Sequence, residues 1–444
     1  MGNGHDTFYI ETLGCAKNQV DSEVMVASLE GRGWARREDP AEASVIIVNT
    51  CGFIQPAKEE SLDTVLSLRA QHPEARIVMA GCLTQRYSKE LHADLEEVDA
   101  FFGNRAPVAI GPFLESRPWD TRAVVLPSDD DGLVLRDSLL SYRGSAYLKI
   151  GEGCDNRCSF CAIPLIRGRY RSRPPEELEA ELRHLLTLGV REVNLIAQDL
   201  ASYGRDGGTP RLPELLRRLL SVEGDYRLRM LYVHPEHFPR ELLELCRSDT
   251  RLLPYFDLPM QHADSTVLAG MARRGSAEQY LALVEEIRSA LPEAVLRTSL
   301  LVGFPGESNE AFERLLEFQS RAAFDWLGVF TYSPEEQTPA YHHHRDFIEP
   351  DADSRRERLE AAQLPITYGR LDRFIGETME VLIEEEVAGE DLAIGRGYPH
   401  APEVDGLVVV RTGGRRIRPG ERVSTRIMRR NGVDLEAYLA ADAQ

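Results

Sequence analysis

The 444-residue sequence predicts an α/β chain in three parts. These are an N-terminal parallel αβα sheet domain (residues 5–116), a central partial (β/α)6 barrel (140–367) and a small C-terminal antiparallel β-barrel (368–442), with 117–139 as a linker. Three observations predict this. Short apolar runs alternate with helical patterns through 7–115 and again through 146–332, as in parallel sheets covered by helices. Between those series lies a stretch that mixes Pro, a triple Asp run and short apolar pieces, the composition of a linker. Beyond Tyr368, strand-like runs separated by Gly and Pro turns replace the helical patterns, which suits a small all-β barrel, of the oligonucleotide-binding kind.

In the first part the strands are Thr7–Leu13, Ala43–Asn49 and Ala75–Ala80, with helical patterns at Ser22–Glu30 and Lys58–Ala70. Ala43–Asn49 is apolar without interruption at its centre, as a strand buried on both faces should be. Six strands make the second part: Ala146–Ile150, Glu192–Ala197, Arg227–Val233, Tyr255–Met260, Val295–Val302 and Trp326–Tyr332. Helical patterns at Pro175–Leu188, Leu212–Ser221, Pro239–Arg247, Ser265–Met271 with Ala277–Leu291, and Asn309–Ala322 separate them. Ligands then belong at the C-terminal ends of the strands. The tail strands are Met379–Ile383, Gly406–Arg411 and Glu421–Met428.

Composition excludes several classes. No run approaches the ~18 apolar residues of a membrane span, and the first residues have neither a basic nor an apolar leader region. A cytoplasmic location without membrane contact is expected. With 52 basic and 72 acidic residues the net charge is −20, which argues against a general nucleic-acid-wrapping surface but leaves room for a local RNA-facing patch. Seven cysteines, an odd number without an export leader, point to metal or redox chemistry rather than a disulfide framework.

Cys154, Cys158 and Cys161 form a C-x3-C-x2-C run just past the first barrel strand. Three thiolates on one tight loop can fill three corners of an iron–sulfur cube. A structural zinc site would want a fourth ligand, and no further Cys lies nearby; zinc with a distant His, or buried thiols, are the bland readings. Cys15, Cys51 and Cys82 are far apart in sequence, yet each follows a predicted parallel strand. Neighbouring parallel strands end on one sheet edge, so these three can converge on a second metal site, although each alone is more often a small buried hydrophobe. Only Cys246 remains, in an amphipathic helical pattern, and it reads as core. At least one cluster therefore has an open iron, able to bind the amino and carboxylate groups of a sulfonium cofactor; one electron then breaks a carbon–sulfur bond and releases a carbon radical.

These motifs resemble those of the radical S-adenosylmethionine methylthiotransferases that carry two clusters. The segments are Leu13–Glu23, Asn49–Ile54, Ala80–Leu83, the Cys154–Cys161 run, Gly303-Phe304-Pro305-Gly306-Glu307 and Tyr332–Glu336. The tail is similar to the TRAM module appended to these enzymes. Leu13 and Lys17, Gln198-Asp199 and Pro259-Met260-Gln261-His262 favour the branch that modifies ribosomal protein S-twelve over the one that modifies an adenosine in transfer RNA. A tail with 11 Arg, no Lys and 14 acidic residues fits that choice.

The resemblance implies two 4Fe-4S clusters and S-adenosyl-L-methionine as cofactors. Cys154, Cys158 and Cys161 would be catalytic ligands of the radical cluster, and Cys15, Cys51 and Cys82 would hold the auxiliary one. It implies methylthio transfer to the β-carbon of an aspartate in S-twelve, free or in the small subunit, with a reducing electron donor and possible contact with ribosomal RNA. Gln198, Arg297, Gly303 and Gly306 are candidate cofactor contacts; for Arg297 a structural ion pair is an equal reading. Arg167, Arg169, Arg171 and Arg173 alternate as an extended basic strip facing solvent or an anionic substrate, and His342–His344 reads as an exposed loop. A non-catalytic two-cluster electron carrier or ribosome-binding protein, and a zinc-stabilised RNA-binding protein, are the readings from other classes.

Overall fold

The computed structural model describes residues 6–128, 132–345 and 347–440. The Asp129–Asp131 run lies outside them. Two compact units emerge: Met1–Leu140 with Glu152–Asp155 and Cys161–Arg171, and Ser141–Gly151 with Asn156–Phe160 and Ser172–Gln444.

The first unit is a six-stranded sheet, parallel throughout, in the spatial order Ala35–Arg36, Thr7–Thr12, Val45–Thr50, Arg76–Gly81, Ala100–Phe102, Val124–Val125. Side chains of successive residues point to opposite faces of a strand, so the strands feed two cores. Phe8, Ile47, Val78 and Phe102 pack with Met25, Leu29 and Phe113 on one face. Ile46, Val48, Ile77, Met79 and Phe101 pack with Val65, Leu83 and Leu91 on the other. The three predicted strands are present. Ala35–Arg36, Ala100–Phe102 and Val124–Val125 are additions too short for a periodic signal. The first helix runs Ala16–Glu30, a turn and a half longer than its apolar pattern, because its opening residues are polar yet buried.

The linker reading of 117–139 is corrected. Val124 and Val125 pair with Phe101 and Phe102 as the sheet's sixth strand. Arg136 is fully buried against Glu23, and the Leu140 N–H donates to the same carboxylate at 2.9 Å. Contacts across more than a hundred residues leave no local pattern to read.

The second unit opens with six parallel strands adjacent in chain order: Ser145–Lys149, Glu192–Ile196, Arg227–Met230, Leu252–Asp257, Val295–Val302 and Trp326–Thr331. This is the predicted (β/α)6 arrangement. Returning helices are fixed at their starts by side-chain caps, among them Asp264 to the Thr266 and Val267 N–H groups, Ser276 to Gln279 and Ser308 to Ala311. The boundary at 367/368 is also corrected: it falls inside the helix Ala352–Asp372, which continues past Pro365. Leu359, Gln363, Thr367 and Leu371, four apart, form its buried stripe, and the Thr367 hydroxyl donates to the Asp325 carbonyl at 2.9 Å.

The tail closes into a five-stranded barrel of Thr378–Glu386, Leu392–Arg396, Val408–Arg411, Asp434–Leu439 and Arg422–Asn431. One pair, Val408–Arg411 with Asp434–Leu439, is parallel, and the other pairs are antiparallel. Both barrels belong to one compact unit, joined by buried ions. Glu192 accepts from Arg229 at 3.0 Å and from Arg396 at 2.7 Å, and Arg396 also reaches Glu384 at 2.6 Å. The Trp326 indole donates to the Pro399 carbonyl at 2.7 Å.

His400 lies fully buried in this cluster, its ring 5.7 Å from that of Trp326. Burial first, then the guanidiniums of Arg229 and Arg396, depress its imidazolium to about 3, so it is neutral when folded. In the unfolded chain it takes up a proton near pH 6.5. Its contribution is therefore complete above that value and lost as pH falls toward the folded value, by about 1.4 kcal/mol per pH unit. His400→Leu should flatten the acid-side slope of the unfolding free energy by about that amount, measured by denaturant titration from about pH 6.5 to 4.5.

Candidate metal centres

In the first unit three neighbouring strands end in cysteine. Cys15 is the residue before the helix Ala16–Glu30, Cys51 follows Val45–Thr50, and Cys82 opens the helix Cys82–Asp94. Two glycines let these ends meet. A Cβ on Gly14 (φ 95°) would stand 2.8 Å from the Cys51 Cβ, and one on Gly52 2.7 Å from the Leu83 Cα and 3.0 Å from the Cys82 carbonyl carbon. The three predicted strand-end cysteines are thus brought to one edge. Gly14→Ala adds both a left-handed strain and a clash against Cys51. It should cut iron bound at this edge, read as iron per chain after anaerobic reconstitution.

Asn18 ties the strand ends together. Its Nδ2 donates to the Leu13 carbonyl at 2.9 Å and the Thr50 carbonyl at 3.1 Å, and its Oδ1 lies 3.4 Å from the Cys82 Sγ. Burial raises the Cys51 and Cys82 thiols, Cys82 to about 12, while the nearby Arg167 guanidinium opposes the rise. Among the described residues no three His, Cys, Asp or Glu side chains are grouped as the donors of one metal ion are. A cubane takes each thiolate on a different iron, so its ligands stand further apart.

The Cys154–Cys161 loop follows the strand Ser145–Lys149. At its start the Cys154 N–H donates to the Gly168 carbonyl at 3.1 Å, and a Cβ on Gly153 (φ 75°) would collide with the Arg169 carbonyl. Its middle is fixed in the second unit. Asn156 Nδ2 donates to Asp199 at 3.0 Å, the Ser159 N–H to the Met271 carbonyl at 2.9 Å, and the Ser159 hydroxyl to the Gly270 carbonyl at 2.8 Å. Burial raises the Cys158 thiol, and a hydrogen bond from Arg273 opposes it.

Gln198 is half-buried just past the strand Glu192–Ile196. Beside it Asp199 is a buried hub, accepting also from the Ser202 hydroxyl at 2.7 Å and the His234 N–H at 3.3 Å. The turn Gly303–Gly306 follows Val295–Val302, and the buried Glu307 carboxylate accepts from the Gly303 N–H, from Arg355 at 2.9 Å and faces His262 Nε2 at 3.2 Å. Gly303 (φ 74°) is backed by Ala352, whereas nothing lies within 4 Å of where a Gly306 Cβ would be. Arg297 is placed elsewhere: third in its strand, it pairs with Asp257 at 3.1 Å and Asp405 at 3.5 Å. This is the ion-pair alternative.

The basic strip is corrected. Arg167 is buried and ends the short helix Ile163–Arg167, Arg169 is exposed beside Asp155 at 3.3 Å, and Arg173 reaches Glu181 at 2.6 Å. A helical turn at its start breaks the alternation. His342–His344 is exposed, mostly in the short helix Pro339–His343. Cys246 is buried, its thiol pushed up to about 12 by burial. Sequence reasoning missed Asn18, Asp199, His262, Glu307 and Arg167 as anchors. Asn18 and Glu307 stand inside the motif segments, and Asp199 and His262 inside the two short strand-end pieces that distinguish the branches, but groups they hold lie elsewhere in the chain.

Residues 7–103 match the Uncharacterized protein family UPF0004, 148–318 the Radical SAM superfamily and 375–439 the TRAM domain. A ribosomal protein uS12 methylthiotransferase RimO from Treponema denticola is 42% identical, over 96% of this chain and 98% of that protein. RimO proteins of Geobacter sulfurreducens and Carboxydothermus hydrogenoformans are 40% and 36% identical, each over 98% of this chain and 99% and 100% of theirs. The chain belongs to the uS12 methylthiotransferase RimO family. As a RimO-family chain it is a radical SAM methylthiotransferase. Its fold is also similar to that of the radical S-adenosylmethionine methyltransferase TsrM from Kitasatospora setae (TM-score 0.58, 15% identity, 77% of this chain and 78% of that one). The RimO family's TRAM domain corresponds here to the closed five-stranded barrel. Among the described residues no helix is long and apolar enough to cross a membrane.

Proposed function

We propose that this chain adds a methylthio group to the β-carbon of an aspartate in ribosomal protein uS12, using S-adenosylmethionine and two 4Fe-4S clusters. Cys154, Cys158 and Cys161 hold the radical cluster, and Cys15, Cys51 and Cys82 the auxiliary one. When bound, the first would supply the electron that splits one S-adenosylmethionine into methionine and a hydrogen-abstracting deoxyadenosyl radical, and the second would carry the sulfur, methylated by a second S-adenosylmethionine. That C–H bond is unactivated, so a side-chain base could not remove its proton.

The observation that carries the reading is full-length similarity to RimO proteins at 36–42% identity, joined to three cysteine-bearing strand ends at one sheet edge. The residues present fit the clusters: two sets of three cysteines, one set beside a buried guanidinium. Asn18 fixes the strand ends that carry the auxiliary thiols. Asp199 fixes the middle of the radical loop through Asn156. Glu307 holds the Gly303–Gly306 turn, where the absence of a Cβ at Gly306 leaves the backbone approachable; Gln198 is a second cofactor contact. Arg297, committed to two carboxylates, is left out of the cofactor set. A reducing electron donor supplies electrons in the cytoplasm, and the substrate is free uS12 or the assembling subunit, where ribosomal RNA would also be touched.

Anaerobic protein reconstituted to about eight irons per chain is incubated with S-adenosylmethionine, a reductant, a sulfur source and either uS12 or transfer RNA. A mass gain of one methylthio group on uS12 is expected. A gain on RNA alone overturns the substrate, and absence of deoxyadenosine overturns the chemistry.

A further inference from the structure

Arg167 lies six residues beyond Cys161, in the helix Ile163–Arg167 and within the first compact unit. Its Nη2 lies 3.3 Å from the Cys82 Sγ, 2.6 Å from Asn18 Oδ1 and 3.0 Å from Asp21 Oδ2, and its Nη1 3.0 Å from Glu152. Its side chain is 2% exposed. Asn104 Nδ2 stands 3.2 Å from the same sulfur, and Cys82 packs against Ala162 and Ile166. One sulfur of the three thus has two N–H donors converging on it. One of them is a permanent cation set in place by two carboxylates.

We infer that Arg167, with Asn104, is a positioning residue that sets the reduction potential of the auxiliary cluster through hydrogen bonds to the Cys82 sulfur. The inference rests on the two-cluster reading above. Ligation makes Cys82 a buried thiolate, which must be balanced in a low-dielectric site. Arg167 presents a cationic N–H to it from a fixed direction, because Asp21 shares its Nη2 and Glu152 holds its Nη1. Hydrogen bonds and positive charge at a cluster sulfur favour the reduced, more negative state, and so raise the potential. The segment after the C-x3-C-x2-C motif therefore completes the surroundings of the other cysteine set.

The test uses full-length chain in which Cys154, Cys158 and Cys161 are replaced by Ala, so that one cluster remains, and reads its midpoint by redox titration with electron paramagnetic resonance. Arg167→Gln should shift the midpoint to more negative potential, with Arg167→Lys intermediate because it keeps the charge and loses the fork. Asn104→Leu should shift it the same way, and it leaves the Arg167 ion pairs intact should Arg167→Gln fail to fold. Iron content per chain is measured alongside. Unchanged midpoints in variants that retain their iron overturn the inference and leave the two-cluster reading standing. A parent that binds no iron overturns both.

Discussion

Replacing Cys158 by alanine should abolish cleavage of S-adenosylmethionine, with deoxyadenosine expected to fall to background under reduction. The loss should exceed the ~10–100-fold typical of changes outside a metal's ligands, because a cluster held by the proposed three thiolates would have none to spare. The physical setting of Cys158 makes it the sharpest position. Burial raises its thiol, so ligation would have to drive off a proton, with Arg273 beside it to favour the thiolate. Asn156 and Ser159, on either side, are pinned to Asp199, Met271 and Gly270, so the loop cannot bring in a substitute ligand. Cys82→Ala separates the two sites: deoxyadenosine formation should persist, iron should fall by about half, and methylthio transfer should stop. Chromatography of the nucleoside with iron analysis checks both variants. Deoxyadenosine formed undiminished by Cys158→Ala would remove that cysteine from the radical site.

Glu307→Ala should destabilise the chain by about 3–5 kcal/mol, the loss typical when one partner of a buried ion pair is removed. Glu307 and Arg355 are both deeply buried and 2.9 Å apart, and the same carboxylate takes the Gly303 N–H and faces His262. Without it the Arg355 guanidinium keeps only the more distant Glu349 carboxylate at 3.8 Å, and the Gly303–Gly306 turn loses the bond that shapes it. Glu307→Gln keeps volume and one acceptor and should lose less. Glu317→Ala, removing an exposed pair with Arg321, should stay within about 0.5 kcal/mol. Urea titration followed by circular dichroism measures all three. Weaker S-adenosylmethionine binding by Glu307→Gln at temperatures where it stays folded is the functional counterpart.

The sequence by itself determined what is periodic or local. Runs such as Ala43–Asn49, apolar without interruption at its centre, fixed the parallel sheets, the βα series fixed adjacent strands in chain order, and the position of each cysteine just past a strand placed three of them at one edge. Only the tertiary structure decided which charges answer which. Asp21 and Arg167 are 146 residues apart, and Glu23 and Arg136 are 113 apart; neither pair announces itself in any window of sequence. For the same reason a stretch with a linker's composition proved to carry a sheet strand and a buried arginine, and Arg297 proved committed to Asp257 and Asp405. Patterning follows from backbone geometry repeated every two or 3.6 residues. The partner of a buried charge follows from which surfaces meet, and that is settled only when the chain has folded.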